Sequence, residues 1–271
     1  NINMLGFNFI SFNKNTILYG LGAIKGVGGN AVKHIIDERK SNGEFKNIFD
    51  FCERVSLSSI NIGTLDALIY SGSFDVFKEN RLAMKKILGK AMLYGQQKQN
   101  SKTTGQQELF ENKSEAFSVM HDDVSLSLKV DNTIDNRLKS LSLEKKVIGF
   151  YLSGHPIKEY QEEITSMSIK SIASYFDKLY AADIDDDFSE HGTISGVITN
   201  IRSQRMGKDK FINILSVDDS THRLEIILFS DVYEKYRDLI KENEILFFSG
   251  VIAMDDYNGD LSMKATKVID M

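Results

Sequence analysis

The chain has 271 residues, 42% apolar and 26% charged, with a net charge of -5; that is the composition of ordinary globular domains, with length enough for two. One cysteine, Cys52, excludes a disulfide framework and fits a reducing cytoplasm, and the absence of a signal peptide or of an apolar run near eighteen residues argues against export and membrane insertion. Charge is uneven: residues 1–100 carry +5, 101–190 carry -7 and 191–271 carry -3; the modest basic excess of the first third could face a polyanion, and an ordinary solvated surface would look similar.

From Ile17 to about Gln97 the period is helical. Val32, Ile35, Ile36 and Arg39 fall at i, i+3, i+4 and i+7, predicting a helix over about 29–40 that Gly43 stops. Further helices are predicted over 48–54, burying Phe49 and Cys52, and over 60–70, burying Leu65, Leu68 and Ile69. Another opens after Asn80, a good N-cap, with Met84, Ile87, Leu88 and Ala91 on its inner face. From Gln96 to about Asp135 the pattern dissolves into polar residues, which predicts a loop. A helix resumes near Ile134 and is expected to end at Ser153, before Gly154 and the single proline, Pro156.

From His191 the period becomes two. Five strand-like runs follow, GTISGVITNIRSQR, FINILSVDD, RLEIILF, ILFFSGVIA and LSMKATKVID, with the one helix SDVYEKYRDLI between the third and the fourth. Such an order describes the OB barrel. The expected fold class is therefore multi-domain α plus β, an all-α helix-hairpin-helix domain followed by a five-stranded OB-fold β-barrel. The expected boundaries are 1–160 for the helical domain with its loop at about 96–135, 161–190 for a linker and 191–271 for the barrel.

LGAIKGVGGNAVKHII (21–36) reads as helix, glycine turn, helix. Gly26 and Gly28 can take positive φ and let a backbone approach closely, and the next helix aims its unpaired N–H groups beyond the turn. A DNA phosphate suits that place, so Lys25, Gly26, Val27, Gly28, Gly29 and Asn30 are the candidate contacts with the duplex backbone; the alternative is a hairpin that only packs. LIYSGSFDVF (68–77) looks like a structural twin with little contact of its own. In the barrel the first connection, IRSQRMGKDKF, gathers Arg202, Arg205, Lys208 and Lys210 beside Phe211. Cationic loops and exposed rings are how OB folds hold single strands, though Phe211 would serve equally as core. Asp183, Asp185, Asp186 and Asp187 lack the spacing and turn glycine of a metal loop and read as solvated charge. None of the five histidines has a Ser or Cys partner at a recognisable spacing, so no catalytic residue, metal site or cofactor is assigned.

YGLGAIKGVGGNAV (19–32), LIYSGSFD (68–75), GQQELF (105–110), IGFYLSGHPI (148–157) and LEIILFSDVYEKYRDLI (224–240) together resemble, in order, the C-terminal half of the bacterial DNA polymerase III alpha subunit family. The chain, which starts at Asn1, reads as a piece of such a polypeptide. The resemblance implies that Gln106, Gln107, Glu108, Leu109 and Phe110 form the Gln-x-x-Leu/Met-Phe peptide by which this family docks on the beta sliding clamp. It also implies primer-template DNA, duplex and single-stranded, as ligand, other replicase subunits as partners of regions outside this chain, and a cytoplasmic location. The family's parent enzyme is a DNA-directed DNA polymerase whose Mg²⁺-binding palm carboxylates lie upstream, so this segment alone is expected to be inactive. Two readings remain beside it: a stand-alone nucleic-acid-binding module of the tRNA-binding or repair type, and a protein-interaction scaffold.

Overall fold

The computed structural model describes residues 1–104, 133–181, 188–206, 210–255 and 259–270. Gln106–Phe110, Lys208 and the aspartates of 183–187 lie outside them. The chain divides into two compact units, Asn1–Ser153 and Gly154–Met271. Among the described residues no helix is long and apolar enough to cross a membrane.

The first unit begins with a hairpin, β1 (Ile10–Asn13) and β2 (Thr16–Leu18), followed by a 3₁₀ turn at Leu21–Ala23. Helices α1 (Gly29–Asn42), α2 (Ile48–Arg54), α3 (Ile62–Tyr70), α4 (Arg81–Thr104) and α5 (Ile134–Ile148) come next, with a 3₁₀ turn at Asp75–Phe77 before α4. Short polar side chains open most of them. Asn47 accepts from the amides of Phe49 and Asp50, Asn61 from Thr64, Asn80 from Leu82 and Ala83, and Thr133 from Asn136; each satisfies amides that the helix leaves open. Val32, Ile35, Leu65, Leu68, Ile69, Met84 and Leu88 meet in one core, where Phe51 and Phe74 sit edge to face at 5.0 Å.

Two helix ends differ from expectation. A loop was expected from Gln96, yet α4 continues to Thr104. The Gln99 side-chain amide reaches the carbonyls of Cys52, Glu53 and Val55 at 2.9, 3.2 and 2.9 Å, closing the C-terminus of α2. Gly95 lets the helices come that near, since a Cβ there would strike the Cys52 carbonyl. Tertiary capping thus outweighs local polarity. Helix α5 stops at Ile148, not Ser153, with Gly149 at φ 101°. The cause is Glu144: fully buried, it accepts from the Leu152 and Ser153 amides at 2.8 and 2.9 Å and pulls the chain back. Its other oxygen takes Arg81 at 2.8 Å, and Arg81 also holds Asp75 through two bonds of 2.8 and 2.6 Å.

The second unit opens with a 3₁₀ turn at Pro156–Tyr160 and helices α6 (Gln161–Ser166) and α7 (Ile172–Ala181). The barrel strands are β3 (Ser189–Met206), β4 (Lys210–Asp218), β5 (Arg223–Phe229), β6 (Ile245–Met254) and β7 (Leu261–Asp270), with α8 (Ser230–Tyr236) after β5. They close in the order β3-β4-β5-β7-β6, with β3 pairing β6 and β5 running parallel to β7. Alternate residues point inward, among them Ile194, Ile198, Leu215, Val217, Ile226, Leu228, Phe248 and Met263. The helix between the third and fourth strands lies where the pattern places it.

Residues 161–190 were expected to be a linker. In the structure α7 buries Ile172 and Tyr175 in the barrel core, and the β4–β5 turn caps it: Asp219 accepts from the Ile172 amide at 2.7 Å and Thr221 Oγ1 from the Ala173 amide at 3.1 Å. His155 Nδ1 caps the 3₁₀ turn at the Ile157 amide, and its Nε2 lies 3.3 Å from Asp218. Burial works against ionising Asp218, but His155, Arg223 and the Ser220 amide hold its carboxyl well below the usual range.

Glu144→Ala should lower the stability of the first unit by about 3–5 kcal/mol in urea unfolding, because it strands Arg81 and two amides away from water. Burial opposes the charge of Glu144, yet the Ser153 amide, Arg81 and the Leu152 amide outweigh it and depress the carboxyl below 4.5. Its contribution is therefore complete at neutral pH and is lost as the pH falls through the depressed value. Acid titration of unfolding should show a steeper loss in the native chain than in Glu144→Gln.

Candidate nucleic-acid interface

The turn between the Leu21–Ala23 helix and α1 is held from behind and open in front. Val27 is buried, its amide donates to Ile24 at 3.1 Å, and it serves as an apolar peg. The Lys25 amide donates to Val147 at 2.9 Å, and Thr64 Oγ1 fastens the Gly26 carbonyl at 3.1 Å. Gly26 takes φ 91°, as its place in the turn requires. Gly28 does not: it is extended at φ -76° and caps α1 with no side chain. Lys25, Gly26, Gly28, Gly29 and Asn30 are all exposed, and Lys33 and His34 follow on the exposed side of α1.

Fourteen residues of helix thus begin at a surface with no side-chain cap and a lysine beside them. Open amides and the positive end of the helix dipole attract an anion there. Of the six residues predicted to meet a phosphate backbone, five stand together at this surface; Val27 faces the core and holds the turn in place. The second hairpin differs. Gly72 also has positive φ, but the Arg81 guanidinium fills the space that its Cβ would take, and the Ser73 carbonyl accepts from the Ile2 amide at 2.6 Å. Its turn is closed by the protein itself.

In the barrel, the β3–β4–β5 ladder forms a second candidate surface, with Arg202 and Glu225 on its outer face and Arg205 and Phe211 on the face that Leu215 and Val217 turn to the core further along. Arg202 reaches across to Glu225 with Nη2 2.8 Å from both carboxylate oxygens; both side chains are exposed, so the pair is well screened and easily exchanged for another anion. Arg205 is exposed and stands opposite Phe211 in the ladder. Phe211 is 49% exposed, which removes the core alternative, and its carbonyl accepts from Ser230 Oγ at 2.7 Å. Of Lys210 only the backbone is described, paired with Met206.

Sequence reasoning missed Phe229. It is 45% exposed at the end of β5 and pairs with Ile212, which itself pairs with Gln204. The signal was parity: with Leu224, Ile226 and Leu228 turned inward, Phe229 has to face out. Cys52 lies in the helical core, where burial pushes its thiol up to about 12, so it is no nucleophile at neutral pH.

Gly26→Ala should cost about 1–2 kcal/mol in urea unfolding, because φ 91° suits no L side chain. Gly29→Ala, at the first position of α1 with its Cβ in ordinary contact at 3.6 Å from Phe7, should be neutral or stabilise by up to ~1 kcal/mol.

A family described as a helix-hairpin-helix motif matches residues 1–84, and one described as an OB-fold nucleic acid binding domain matches residues 193–271. The chain is 30% identical over 255 residues to DNA polymerase III subunit alpha of Pasteurella multocida (strain Pm70), which covers 94% of this chain and 21% of that protein. It is 31% identical over 271 residues to the same subunit of Buchnera aphidicola subsp. Schizaphis graminum, covering 100% and 22%. A single-stranded DNA-binding protein of Mycobacterium smegmatis aligns with 31% of this chain and 89% of its own at 17% identity, with a TM-score of 0.27, which carries no argument. The chain spans about a fifth of the length of the curated relatives it matches. Matched end to end by these subunits, and carrying a helix-hairpin-helix region before an OB-fold region, the chain belongs to the DNA polymerase III alpha subunit family.

Proposed function

We propose that the chain is the DNA-guiding and clamp-tethering portion of a bacterial replicative DNA polymerase. The observation that carries this reading is the exposed turn at Lys25–Asn30, a glycine hairpin feeding an uncapped helix start, within a chain of this family. Duplex DNA meets that turn through its phosphates. The amides of α1 and the Lys25 ammonium bind the backbone without reading sequence, which suits an enzyme that must copy every sequence. Single-stranded template crosses the barrel at Arg202, Arg205, Lys208, Lys210 and Phe211.

The beta sliding clamp receives Gln106, Gln107, Glu108, Leu109 and Phe110. Burying Leu109 and Phe110 contributes about 3–6 kcal/mol, part of which is offset by ordering the peptide. A micromolar bond, about -8 kcal/mol, is the natural outcome: it can release and rebind, and simultaneous DNA contact strengthens it. Nucleotide addition belongs to carboxylates and Mg²⁺ in parts of the polypeptide outside this chain, and the whole enzyme works in the bacterial cytoplasm. These residues hold and guide; they do not react.

Fluorescence anisotropy across a salt series tests the DNA surface. Lys25→Ala should weaken duplex binding and lower the salt slope by about one. Equal slopes would remove the hairpin from the interface. A clamp pull-down tests the peptide: Leu109→Ala with Phe110→Ala should abolish capture, and undiminished capture would place the clamp contact elsewhere. A higher affinity of the barrel for RNA than for single-stranded DNA would favour the tRNA-binding alternative.

A further inference from the structure

Strand β7 breaks its regular pairing at one point. Lys267 pairs with Ser249 and Ala265 with Gly250, so Thr266 is an extra residue, a β-bulge. Its Oγ1 donates to the Ser249 carbonyl at 3.3 Å. Gly250 lets β7 come close there, since a Cβ would strike the Lys264 carbonyl. Lys264 and Lys267 are three residues apart and would face opposite sides of a regular strand. With Thr266 inserted, Ala265 and Val268 both turn into the core, and both lysines stand outside and exposed.

The ladder fixes what lies beside them. One outer row runs Lys267, Ser249, Thr193, with the two hydroxyl oxygens 2.7 Å apart, and the next runs Lys264, Val251, His191. Neither lysine has an ion-pair partner among the described residues. The carboxylate that strand pairing brings nearest on this face, Glu225 opposite Ser262, is already held by Arg202. Two lysines on an ordinary strand would be solvated charge. Here the backbone itself departs from its regular course to bring them to one face, with two hydroxyls and an imidazole alongside.

Lysines three residues apart on a strand lie within ~10 Å of each other, and phosphates recur every ~3.4 Å of axis along each strand of a duplex. Serine and threonine hydroxyls donate to the same oxygens. One ring, the small His191 imidazole, stands at the edge of the face, too little to seat successive bases of a single strand. A duplex stacks its own bases and asks only for phosphate contacts. We propose that this bulged face of β6 and β7, centred on Lys264 and Lys267, is a second duplex-binding surface that holds backbone phosphates without regard to sequence. The proposal takes DNA as ligand from the reading above and depends on neither the Lys25 turn nor Phe211.

Fluorescence anisotropy of the whole chain on a labelled duplex, across a salt series, tests it. Lys264→Ala with Lys267→Ala should weaken binding about threefold or more and lower the salt slope by about two. Lys264→Arg with Lys267→Arg should keep both near their native values. Lys158→Ala with Lys241→Ala removes the same charge from exposed positions elsewhere in the second unit and should leave the slope nearly unchanged. An unchanged slope in the first pair overturns the proposal, and so does an equal fall in the control pair. A loss confined to single-stranded DNA, or duplex affinity kept while capture of poly-glutamate is lost, assigns the face to another ligand and overturns it as well. The effect of Lys25→Ala should add to that of the lysine pair, which keeps the two surfaces apart. A native chain with no duplex affinity would overturn the reading above together with this one, whereas native affinity that the lysine pair leaves untouched overturns this one alone.

Discussion

A buried carboxylate organises the helical unit. Glu144 has no water to share its charge with, so it depends on Arg81 and on two amides of the returning chain. Through Arg81 the same contact reaches Asp75 and the carbonyl of Tyr70. One ion-pair cluster therefore joins the end of α3, the start of α4, the body of α5 and the segment that follows it. With its central carboxylate cut off from solvent, such a cluster is strong only while every partner of Glu144 is in place. It also fixes the second glycine turn, whose open space the guanidinium fills.

The first glycine turn is built by the opposite use of the same elements. Its carbonyl and amide groups are tied inward at Gly26 and Lys25, Val27 sinks into the core, and all that remains outside is a helix start with unanswered amides. Two turns with positive-φ glycines thus reach different ends through their neighbours: an arginine closes one, and no described side chain closes the other. Function follows from what surrounds the loop more than from the loop.

Most of the architecture was legible because it rests on local periodicity. The helical faces of Val32 and Ile35, of Leu65 and Leu68 and of Met84 and Leu88, and the two-residue alternation of the strands, survive folding unchanged. Misreadings fell where a distant side chain decided the outcome. Gln99 looks like linker composition until its amide meets the end of α2, and Ile172 looks like part of a spacer until Asp219 caps its helix. The end of α5 was misplaced because Gly154 looked like its stop, whereas the stop is Gly149 and the reason is Glu144. At the barrel the charged loop drew the eye to Phe211. Phe229 was visible only after strand parity was counted.

Gln99 has a mechanical consequence. Helix α4 is described as far as Thr104, and near that point its Gln99 amide is lodged among three carbonyls at the tip of α2. Tension arriving along α4 would load those three bonds together, since one amide nitrogen makes all of them. The rod so anchored passes strain into α2 and its aromatic packing.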